Sequence, residues 1–392
     1  MTQFDPSTRI LERFLALHPR KIDLSLGRIE ALLKKLGSPH LRLPPVIHVA
    51  GTNGKGSTCA MLESMLLQGG YRVGLYTSPH LVHLGERVQV DRVRLTEEEI
   101  VGYADELGAV AARIGADPEM APTFFEYLTA MAFLQFARQK CDVAVIEVGM
   151  GGRLDATNIV EKPLASTLVP ISFDHMQYLG DTLTKIATTK SGIFKEGAFA
   201  VMARQEREAA TVLMKKAAEM SALPIREGIE FSVAERTLAV GGQLLKISGV
   251  YGEYDEIFLP MHGEHQASNA ATALAAVEVF AGEKKLDEDV VRNAFAAATS
   301  PAVYSSLTAG TYTWTVKDAN NCLATAQAVV HKLECPKIFC TYSQGYFGNY
   351  GGSASDLDIN GNCNSSNYST LKTGQDAIKA GGADARYLVG NV

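Results

Sequence analysis

A glycine-rich turn with one lysine and several hydroxyl side chains lies within residues 46–70, which read VIHVAGTNGKGSTCAMLESMLLQGG. A β-branched run precedes the turn and a helix-compatible segment follows it, which predicts a strand, a loop and a helix. Glycine tolerates positive φ, so backbone N–H groups can approach a ligand, and the helix start adds partial positive charge. Lys55 supplies a full charge, and Ser57 or Thr58 a hydroxyl for phosphate or its magnesium. The segment therefore predicts a phosphate-binding loop.

The spacing of this loop departs from the ordinary P-loop, which has a longer spacer between its first glycine and its Gly-Lys pair. Only Thr52 and Asn53 intervene here, and Gly56 then separates Lys55 from Ser57. The alternative interpretation is a glycine-rich turn that binds no ligand. A ligand site is favoured, because glycine, lysine and serine rarely coincide by chance directly after a buried-type strand.

Three further apolar runs, at residues 71–77, 142–148 and 165–172, are predicted as strands. The helix between the first strand and the run at 71–77 completes a βαβ unit, which implies parallel strands and an α/β fold. Helical periodicity is found at residues 7–36, 96–114 and 123–139.

Polar side chains follow the predicted strands at their carboxyl ends, where the ligands of open α/β sheets lie. Ser78 follows the second strand, Glu147 lies at the end of the third, and His175 comes shortly after the fourth. Beside a phosphate loop, hydroxyl and carboxylate groups are suited to holding Mg²⁺ against a nucleotide. Histidine is an unusual magnesium ligand, and a lone histidine is more often an ordinary core or surface residue.

Several candidate residues also have purely structural interpretations. Asp23 has the position of a helix N-cap before Leu26. Thr123 and Glu126 have the spacing of a capping box, which stabilises a helix start without any ligand. Lys190 lies at a predicted helix end, where the alternative is an ordinary solvated lysine.

Length and composition narrow the class of protein. The chain has 392 residues, of which 46% are hydrophobic, which is enough for two or three domains with a sizeable core. A formal net charge of −6 argues against a protein that binds nucleic acid through a basic surface. The first residues are charged and amphipathic rather than a secretory signal, and no apolar run reaches the roughly 18 residues of a membrane span. We expect a soluble cytoplasmic protein with no membrane or nucleic-acid partner.

Residues 10–298 contain further segments in a characteristic order: IDLSLGRIEALLKKLG, HVAGTNGKGST, YTSPHL, TFFE, EVGMGGRLDATN, the DH of SFDHMQYLG, KSGIFK and HQASNAATAL. Together they resemble the folylpolyglutamate synthase and dihydrofolate synthase family of the Mur ligase superfamily. The unusual loop spacing is similar to that superfamily's own form. The resemblance implies a P-loop Mur-ligase central domain with a mostly parallel sheet flanked by helices.

The resemblance implies an ATP-dependent ligase that adds L-glutamate to dihydropteroate, to (tetrahydro)folate, or to both. ATP would phosphorylate a substrate carboxylate, and the amine of glutamate would attack the acyl phosphate. A carboxylate is a poor electrophile, so a phosphate leaving group removes the main barrier. The implied cofactors are ATP and Mg²⁺, with two magnesium sites, and the implied partners are these small molecules bound to a monomer.

The resemblance also implies roles for individual residues. The ATP-binding residues would be Thr52, Asn53, Gly54, Lys55, Gly56, Ser57, Thr58 and Asn269. The magnesium ligands would be Ser78, Glu147 and His175, and the catalytic residues Lys55, Lys190 and His175. Lys190 is similar to a family lysine that is carbamylated, which turns a cation into an anion able to organise the second metal. The substrate side would comprise Ile22, Asp23, Leu24, Thr123, Phe124, Phe125, Glu126, Arg153 and Asp155.

The sequence changes character after residue 298. The family continues with a Pro-Gly-Arg segment and a Rossmann-like domain that opens with an Asp-x-Ala-His-Asn-Pro motif, and neither motif is found here. Alternating Thr, Tyr, Trp and Val at 307–317 predict β-strands, with a turn at 318–321. This stretch resembles repeat modules of bacterial surface adhesins, and four of the six cysteines follow in 322–363. We expect two parts, an ATP-binding domain at 1–298 and an unrelated β-rich or disordered tail at 299–392.

These shifts suggest a fusion of unrelated coding segments near residues 299–302. Without the second family domain, which adds an arginine and an aspartate beside the nucleotide, we expect weak or absent ligase turnover. Two alternatives therefore stay open beside the ligase. The chain could be a remnant that binds Mg-ATP without catalysis, or a surface adhesion module, although an adhesion module would need export and no signal peptide is recognised.

Overall fold

The computed structural model describes residues 24–81, 83–112, 120–298, 310–317, 323–330 and 389–391. Its main sheet contains the strands β1 (Val46–Ala50), β2 (Val73–Tyr76), β3 (Val88–Val90), β4 (Val93–Arg94), β5 (Val143–Glu147), β6 (Ala165–Leu168), β7 (Phe199–Met202) and β8 (Leu223–Arg226). Their spatial order is β4-β3-β2-β5-β1-β6-β7-β8. All neighbours from β2 to β8 are parallel, whereas β3 and β4 add an antiparallel edge. The predicted α/β fold with a mostly parallel sheet is confirmed.

The strand β1 occupies the middle of this sheet. It pairs with β5 through Val49 and Glu147, and with β6 through Ala50 and Leu168. The chain moves to one side of β1 for β2 and β5, and to the other side from β6 onward. Ligands of open α/β sheets bind at such a switch point, outside the carboxyl ends of the strands.

Nine α-helices accompany the strands within the described ranges. They are α1 (Gly27–Lys35), α2 (Lys55–Gln68), α3 (Glu97–Ala111), α4 (Phe124–Gln139), α5 (Met176–Leu179), α6 (Leu183–Lys190), α7 (Arg207–Glu219), α8 (Glu264–Phe280) and α9 (Glu288–Ala296). Short 3₁₀ turns lie at Pro39–Arg42, Leu84–Arg87, Ala156–Ile159 and Ser191–Ile193. Within these parts of the chain, no helix combines the length and apolar character needed to cross a bilayer.

A smaller antiparallel sheet covers the helices on one side of the main sheet. It is formed by β9 (Ser232–Ala239), β10 (Gly242–Ser248) and β11 (Glu253–Leu259), in the order β11-β10-β9. One apolar core contains Val145 of β5, Met61 of α2, Leu274 of α8 and Ile257 of β11, so these helices lie between the two sheets. Helix α2 therefore starts at the sheet's carboxyl edge and is held on both sides.

Two further cores fill the opposite face of the main sheet. One contains Ile146 of β5 and Phe133 of α4, and the other contains Leu168 of β6 and Leu213 of α7. Burial on both faces explains why the central strands read as continuous apolar runs. The same burial fixes the carboxyl ends of β1, β2, β5 and β6, where the candidate residues lie.

Several details differ from the sequence-based expectations. No strand was predicted at β3 or β4, whose two or three residues give too little alternation to recognise. The N-cap residue of α1 is Leu26, so the alternative interpretation of Asp23 as the cap of this helix is wrong. The structure does form strands in the tail, because β12 (Gly310–Lys317) pairs antiparallel with β13 (Leu323–Val330), while the turn predicted at 318–321 lies outside the described ranges.

The third sheet has the order β13-β12-β14, in which β14 is Val389–Asn391. The boundary expected at 298/299 adjoins residues 299–309, which the structure does not describe. The division into domains at 1–298 and 299–392 therefore stays a prediction.

Candidate active site

The glycine-rich loop connects β1 directly to α2. Gly51 and Gly54 have φ of +138° and +95°, in the region that side chains other than glycine rarely adopt. A Cβ atom on Gly51 would lie 2.6 Å from the carbonyl oxygen of Val169, and one on Gly54 would overlap the side-chain oxygen of Asn269. Helix α2 then begins at Lys55 without a side-chain cap and without an acidic residue in its first turn. Its first N–H groups are therefore suited to an anion.

The segment after β6 holds the loop from the other side. The backbone N–H groups of Thr52 and Asn53 both donate to the carbonyl of Pro170, at 3.0 and 3.3 Å. The Thr52 hydroxyl donates to the backbone oxygen of Ser172 and accepts from its N–H, both at 3.1 Å. These bonds fix the loop conformation without using the N–H groups at the start of α2.

Two lysines converge on one backbone oxygen of the loop. Lys190 at the end of α6 donates to the Gly51 carbonyl at 2.7 Å, and Lys55 donates to the same oxygen at 3.3 Å. Within the described ranges neither ammonium group lies within salt-bridge distance of a carboxylate. Burial, with the charge of Lys55, lowers the pKa of Lys190 to about 7, although the negative charge of Asp174 opposes this. Lys55, joined by Lys190 where Lys190 is protonated, makes this point attractive to an anion.

Hydroxyl and amide side chains from α2 and α8 line the same loop. The Gln266 side chain donates to Ser57 Oγ at 3.3 Å and accepts from the Asn269 amide at 3.2 Å. The Oγ1 atom of Thr58 is buried and has no hydrogen-bond partner among the described residues. The structure thus brings the candidates Ser57, Thr58 and Asn269 together around the start of α2.

The candidates after β2 and at the end of β5 also meet. The Ser78 N–H donates to Glu147 Oε2 at 3.1 Å, so the Ser78 backbone lies directly beside this carboxylate. Burial raises the pKa of Glu147 to about 7, and the positive charge of Lys55 opposes that rise. The Glu147 carboxylate therefore lies near Lys55 of the phosphate loop, with the Ser78 backbone beside it, and carboxylate and hydroxyl oxygens are suitable ligands for Mg²⁺.

His175 lies further along, at the N-terminal end of the short helix α5. Its Nε2 atom is 3.5 Å from Asp174 Oδ2, and its φ of +48° places the residue in the left-handed region. No group of three or more His, Cys, Asp and Glu side chains within the described ranges could hold a metal on its own. Magnesium needs no such group, since it usually takes one or two carboxylates with phosphate oxygens and water. The role of His175 as a ligand stays a prediction.

The loop after β5 is fixed by a buried chain of hydrogen bonds. Asp155 is 3% exposed and accepts from Met150 N at 2.8 Å and from the Thr157 hydroxyl at 2.5 Å. That hydroxyl has donated its only hydrogen, so the 2.8 Å bond from His48 Nε2 to Thr157 must carry the histidine proton. Burial lowers the pKa of His48 to about 3, which keeps the ring neutral.

This loop touches the lysine of the site. A Cβ on Gly152 would lie 2.7 Å from the Lys190 carbonyl, and Arg153 N donates to Thr189 O at 2.9 Å. The Arg153 side chain is exposed. The Asp155 carboxylate stabilises the loop itself, so the substrate contacts assigned to Arg153 and Asp155 stay predictions.

The start of α4 combines structural and surface-accessible groups. Thr123 and Glu126 form the capping box, with Glu126 N donating to Thr123 Oγ1 at 3.3 Å. Glu126 also accepts from buried Arg28 at 3.1 Å, which ties α1 to α4. Their structural interpretation is confirmed, and a direct substrate contact from either is untested. Phe125 packs against Gly149, and Phe124 lies under the guanidinium of Arg87 at 5.4 Å.

The remaining substrate-side candidates lie near the beginning of the described chain. Ile22 and Asp23 fall outside the described ranges, and Leu24 is the first residue within them, half-buried. A pocket formed by these three residues stays a prediction.

Comparison with known proteins identifies the family. The model of the Mur ligase middle domain matches residues 49–277. The chain belongs to the Mur ligase family. A dihydrofolate synthase/folylpolyglutamate synthase of Mycobacterium tuberculosis is 44% identical over 297 residues, which cover 72% of this chain and 61% of that relative. The chain thus spans less than two thirds of the length of this relative.

Solved structures of the same family agree with the fold. The folylpolyglutamate synthase of Mycobacterium tuberculosis complexed with ADP has a TM-score of 0.71 and 43% identity, covering 76% of this chain and 67% of that one. An FPGS–AMPPCP–folate complex has a TM-score of 0.72 at 32% identity, covering 77% of this chain and 74% of that one.

The residues present fit a bound nucleotide with magnesium. The glycine cradle, the ammonium groups of Lys55 and Lys190, and the Thr58 hydroxyl, which has no partner among the described residues, suit phosphate oxygens. Glu147 and Ser78 supply oxygen donors beside them.

Sequence reasoning missed three residues of the site: Ser172, Asp174 and Gln266. Gln266 lies three positions before Asn269 on the same helical face, a spacing that could have identified it. Asp174 directly precedes the candidate His175. Ser172 holds the phosphate loop through its bonds to Thr52, and such a contact between separate loops leaves no periodic signal in the sequence.

Proposed function

We propose that this chain is an ATP-dependent ligase that joins L-glutamate to dihydropteroate or to a reduced folate through an acyl phosphate. The single observation that carries the proposal is the convergence of Lys55 and Lys190 on the Gly51 carbonyl, beside Glu147. The chain's likeness to folylpolyglutamate synthases supports the choice of substrates. Because the chain spans only part of those relatives, its activity and substrates are proposals.

The chain's own groups would act on the phosphates. N–H groups at the start of α2 and the Ser57 and Thr58 hydroxyls would bind phosphate oxygens, while Lys55 would offset the charge that builds during transfer. An anion bound there would also raise the pKa of Lys190 back toward its ordinary value, so phosphate binding and proton uptake would be coupled.

Magnesium would be held by Glu147 and Ser78, with His175 as a further candidate. When bound, the ion would screen the charge on the transferring phosphate oxygens. Glu147 must be deprotonated for this role, and the nearby charge of Lys55 favours its ionised form.

Lys190 is the candidate for carbamylation. The residue is 2% exposed, and its pKa of about 7 leaves a large neutral fraction near neutral pH, which is the form that attacks carbon dioxide. The new N–C bond would release one proton and leave a carbamate anion beside the loop. Labelled bicarbonate followed by carbon NMR should show a carbamate signal that is missing in Lys190→Met.

The proposed ligation can be tested by phosphate release. The purified chain is mixed with Mg-ATP, L-glutamate, bicarbonate and either dihydropteroate or tetrahydrofolate, with Lys55→Ala as the matched control. We expect release that depends on both glutamate and the acid and that falls by at least about 100-fold in the control. Release that is the same without glutamate would contradict ligation.

A second candidate function is binding of Mg-ATP without ligation. The observations that favour it are the glycine cradle and the buried Thr58 hydroxyl, which suit phosphate oxygens whether or not an acid is joined to glutamate. In this case the wild-type chain would bind Mg-ATP, lose that affinity in Lys55→Ala, and release no phosphate with either acid.

A further inference from the structure

A buried arginine lies at the same edge of the sheet and has no role in the steps above. Arg87 ends the 3₁₀ turn Leu84–Arg87, and its carbonyl accepts from Thr77 N at 3.0 Å. Thr77 follows β2 and directly precedes Ser78. The backbone of Arg87 is therefore fixed next to the residue that adjoins Glu147.

The guanidinium of Arg87 lacks the partner that a buried cation normally has. The residue is 8% exposed, yet no carboxylate in the described parts of the chain lies within salt-bridge distance. Arg28, which is equally buried, pairs with Glu126 at 3.1 Å. Burial lowers the pKa of Arg87, and Tyr76, Glu147 and Glu86 oppose this, so the group stays charged.

Two contacts fix the plane of this guanidinium. Its Nε donates to Nδ1 of His80 at 2.8 Å, which requires an unprotonated Nδ1. One face lies over the ring of Phe124, with 5.4 Å from the guanidinium carbon to the ring centroid. These contacts use Nε and one face, and they leave the two terminal nitrogens for a planar anion.

We propose that Arg87 binds a carboxylate of the substrate in a bidentate manner through its two terminal nitrogens. His80 and Phe124 act as positioning residues that hold the guanidinium plane. The inference rests on the proposed function for the origin of the carboxylate, which belongs either to the acid that is activated or to the incoming amino acid. A bidentate arginine–carboxylate pair has two parallel hydrogen bonds, so this geometry would favour a carboxylate as the ligand of Arg87.

The test compares binding by isothermal titration in the presence of Mg-AMPPCP. The probes are dihydropteroate, its carboxamide and L-glutamate, and the variants are Arg87→Met and Arg87→Lys. Arg138→Met is the matched control, because Arg138 also stacks on an aromatic ring, Tyr103 at 5.2 Å, but pairs with Glu106 at 2.6 Å. Arg87→Lys keeps the charge but loses the planar fork, so it tests the proposal even if Arg87→Met unfolds.

We expect Arg87→Met to weaken the binding of one of the two carboxylate probes, dihydropteroate or L-glutamate, by about 10- to 100-fold. The affinity of Arg87→Lys should lie between those of Arg87→Met and wild type. The carboxamide and Mg-AMPPCP should bind unchanged, and Arg138→Met should resemble wild type. Loss of affinity for L-glutamate would show that Arg87 binds the carboxylate of the incoming amino acid. Loss of affinity for dihydropteroate alone would show that Arg87 binds the carboxylate of the activated acid.

Other outcomes overturn the inference in distinguishable ways. If wild type binds the probes and both Arg87 variants bind them equally well, Arg87 is no carboxylate receptor, while the proposed function stands. If the Arg87 variants lose affinity equally for dihydropteroate and for its carboxamide, the substitutions have disturbed the site in general, and the inference fails. If wild type binds neither dihydropteroate nor L-glutamate, the proposed function fails and this inference fails with it.

Discussion

At the scale of single residues, the site depends on close approach between α8 and the phosphate loop. Asn269 lies where a Cβ on Gly54 would be, and Gln266 links Asn269 to Ser57. Positive φ and lack of space both require glycine at position 54. The amide pair from α8 thus positions the first turn of α2.

We expect Gly54→Ala to weaken binding of Mg-ATP by at least about tenfold, or about 1.4 kcal/mol. The new methyl group would displace Asn269 and distort the loop. Isothermal titration would measure the affinity. The control is Gly70→Ala, since Gly70 also has positive φ, +82°, but has nothing within 4 Å of an added Cβ. Unchanged affinity in Gly54→Ala would refute the close approach.

Sequence patterns identified the residues that carry charge or special backbone conformations. The strand–glycine–lysine pattern located Lys55 and Gly54 because each has a recognisable local signature. Arg87 was missed because its chemistry depends on Phe124 and His80, which only the folded chain brings to its two sides. A pairing across distant segments leaves no trace in one sequence.

At the scale of elements, the loop after β5 is positioned by a series of hydrogen bonds. These bonds connect His48 in β1 to Thr157, and Thr157 to Asp155. The loop in turn packs on the backbone of Lys190 through Gly152. A central strand therefore fixes the end of α6. All three polar side chains are buried, so the His48 N–H depends on the Thr157 hydroxyl, whereas Asp155 Oδ1 also accepts from Thr157 N at 3.0 Å.

We expect Thr157→Val to lower the free energy of unfolding by about 1 to 3 kcal/mol, because it leaves the buried His48 N–H without an acceptor and removes one of the hydrogen bonds that Asp155 accepts. Urea unfolding would measure the change. The control is Thr211→Val on the exposed face of α7, where the hydroxyl bonds only to the Arg207 carbonyl. If the two substitutions lower the free energy of unfolding equally, the buried hydrogen bonds between His48, Thr157 and Asp155 do not stabilise the fold.

The sequence predicted helices and strands well where a hydrophobic pattern continued over enough residues to be recognised. Helix α4 begins directly after Thr123, as the capping box indicated, and the four central strands lie within their predicted runs. The edge strands β3 and β4 were missed because pairing with β2, rather than local pattern, makes them strands.

At the scale of the whole molecule, the packed sheets and helices bury charged side chains as well as apolar ones. Helix α2 lies between the two sheets and carries Glu63, which is buried and 3.8 Å from Arg92 Nε. Burial raises the pKa of Glu63 from 4.5 to about 7 despite the charge of Arg92. The folded protein therefore holds this proton over a pH range where the unfolded chain has lost it.

The sign of the pH dependence follows from that difference. Between pH 4.5 and about 7 the folded state binds more protons at Glu63, so its contribution to stability is lost as pH rises. The loss amounts to about 3 kcal/mol for a shift of this size. We expect Glu63→Gln to flatten the fall in unfolding free energy over this range, as measured by urea titrations at several pH values.

Exposed Glu98 in the first turn of α3 provides the control for this prediction. Glu98→Gln should leave the pH profile of stability parallel to that of wild type. A Glu63→Gln profile parallel to wild type would show that Glu63 ionises in the folded protein as it does in the unfolded chain.

The most direct measurement of the proposed ligation follows the oxygen atoms of the substrate. Dihydropteroate whose carboxylate carries heavy oxygen is incubated with the chain, Mg-ATP, bicarbonate and L-glutamate, and the released phosphate is analysed by mass spectrometry. Attack of glutamate on an acyl phosphate leaves one carboxylate oxygen in the phosphate, so labelled phosphate should form in step with the amide product. Unlabelled phosphate, or no release above that of Lys55→Ala, would contradict the ligase.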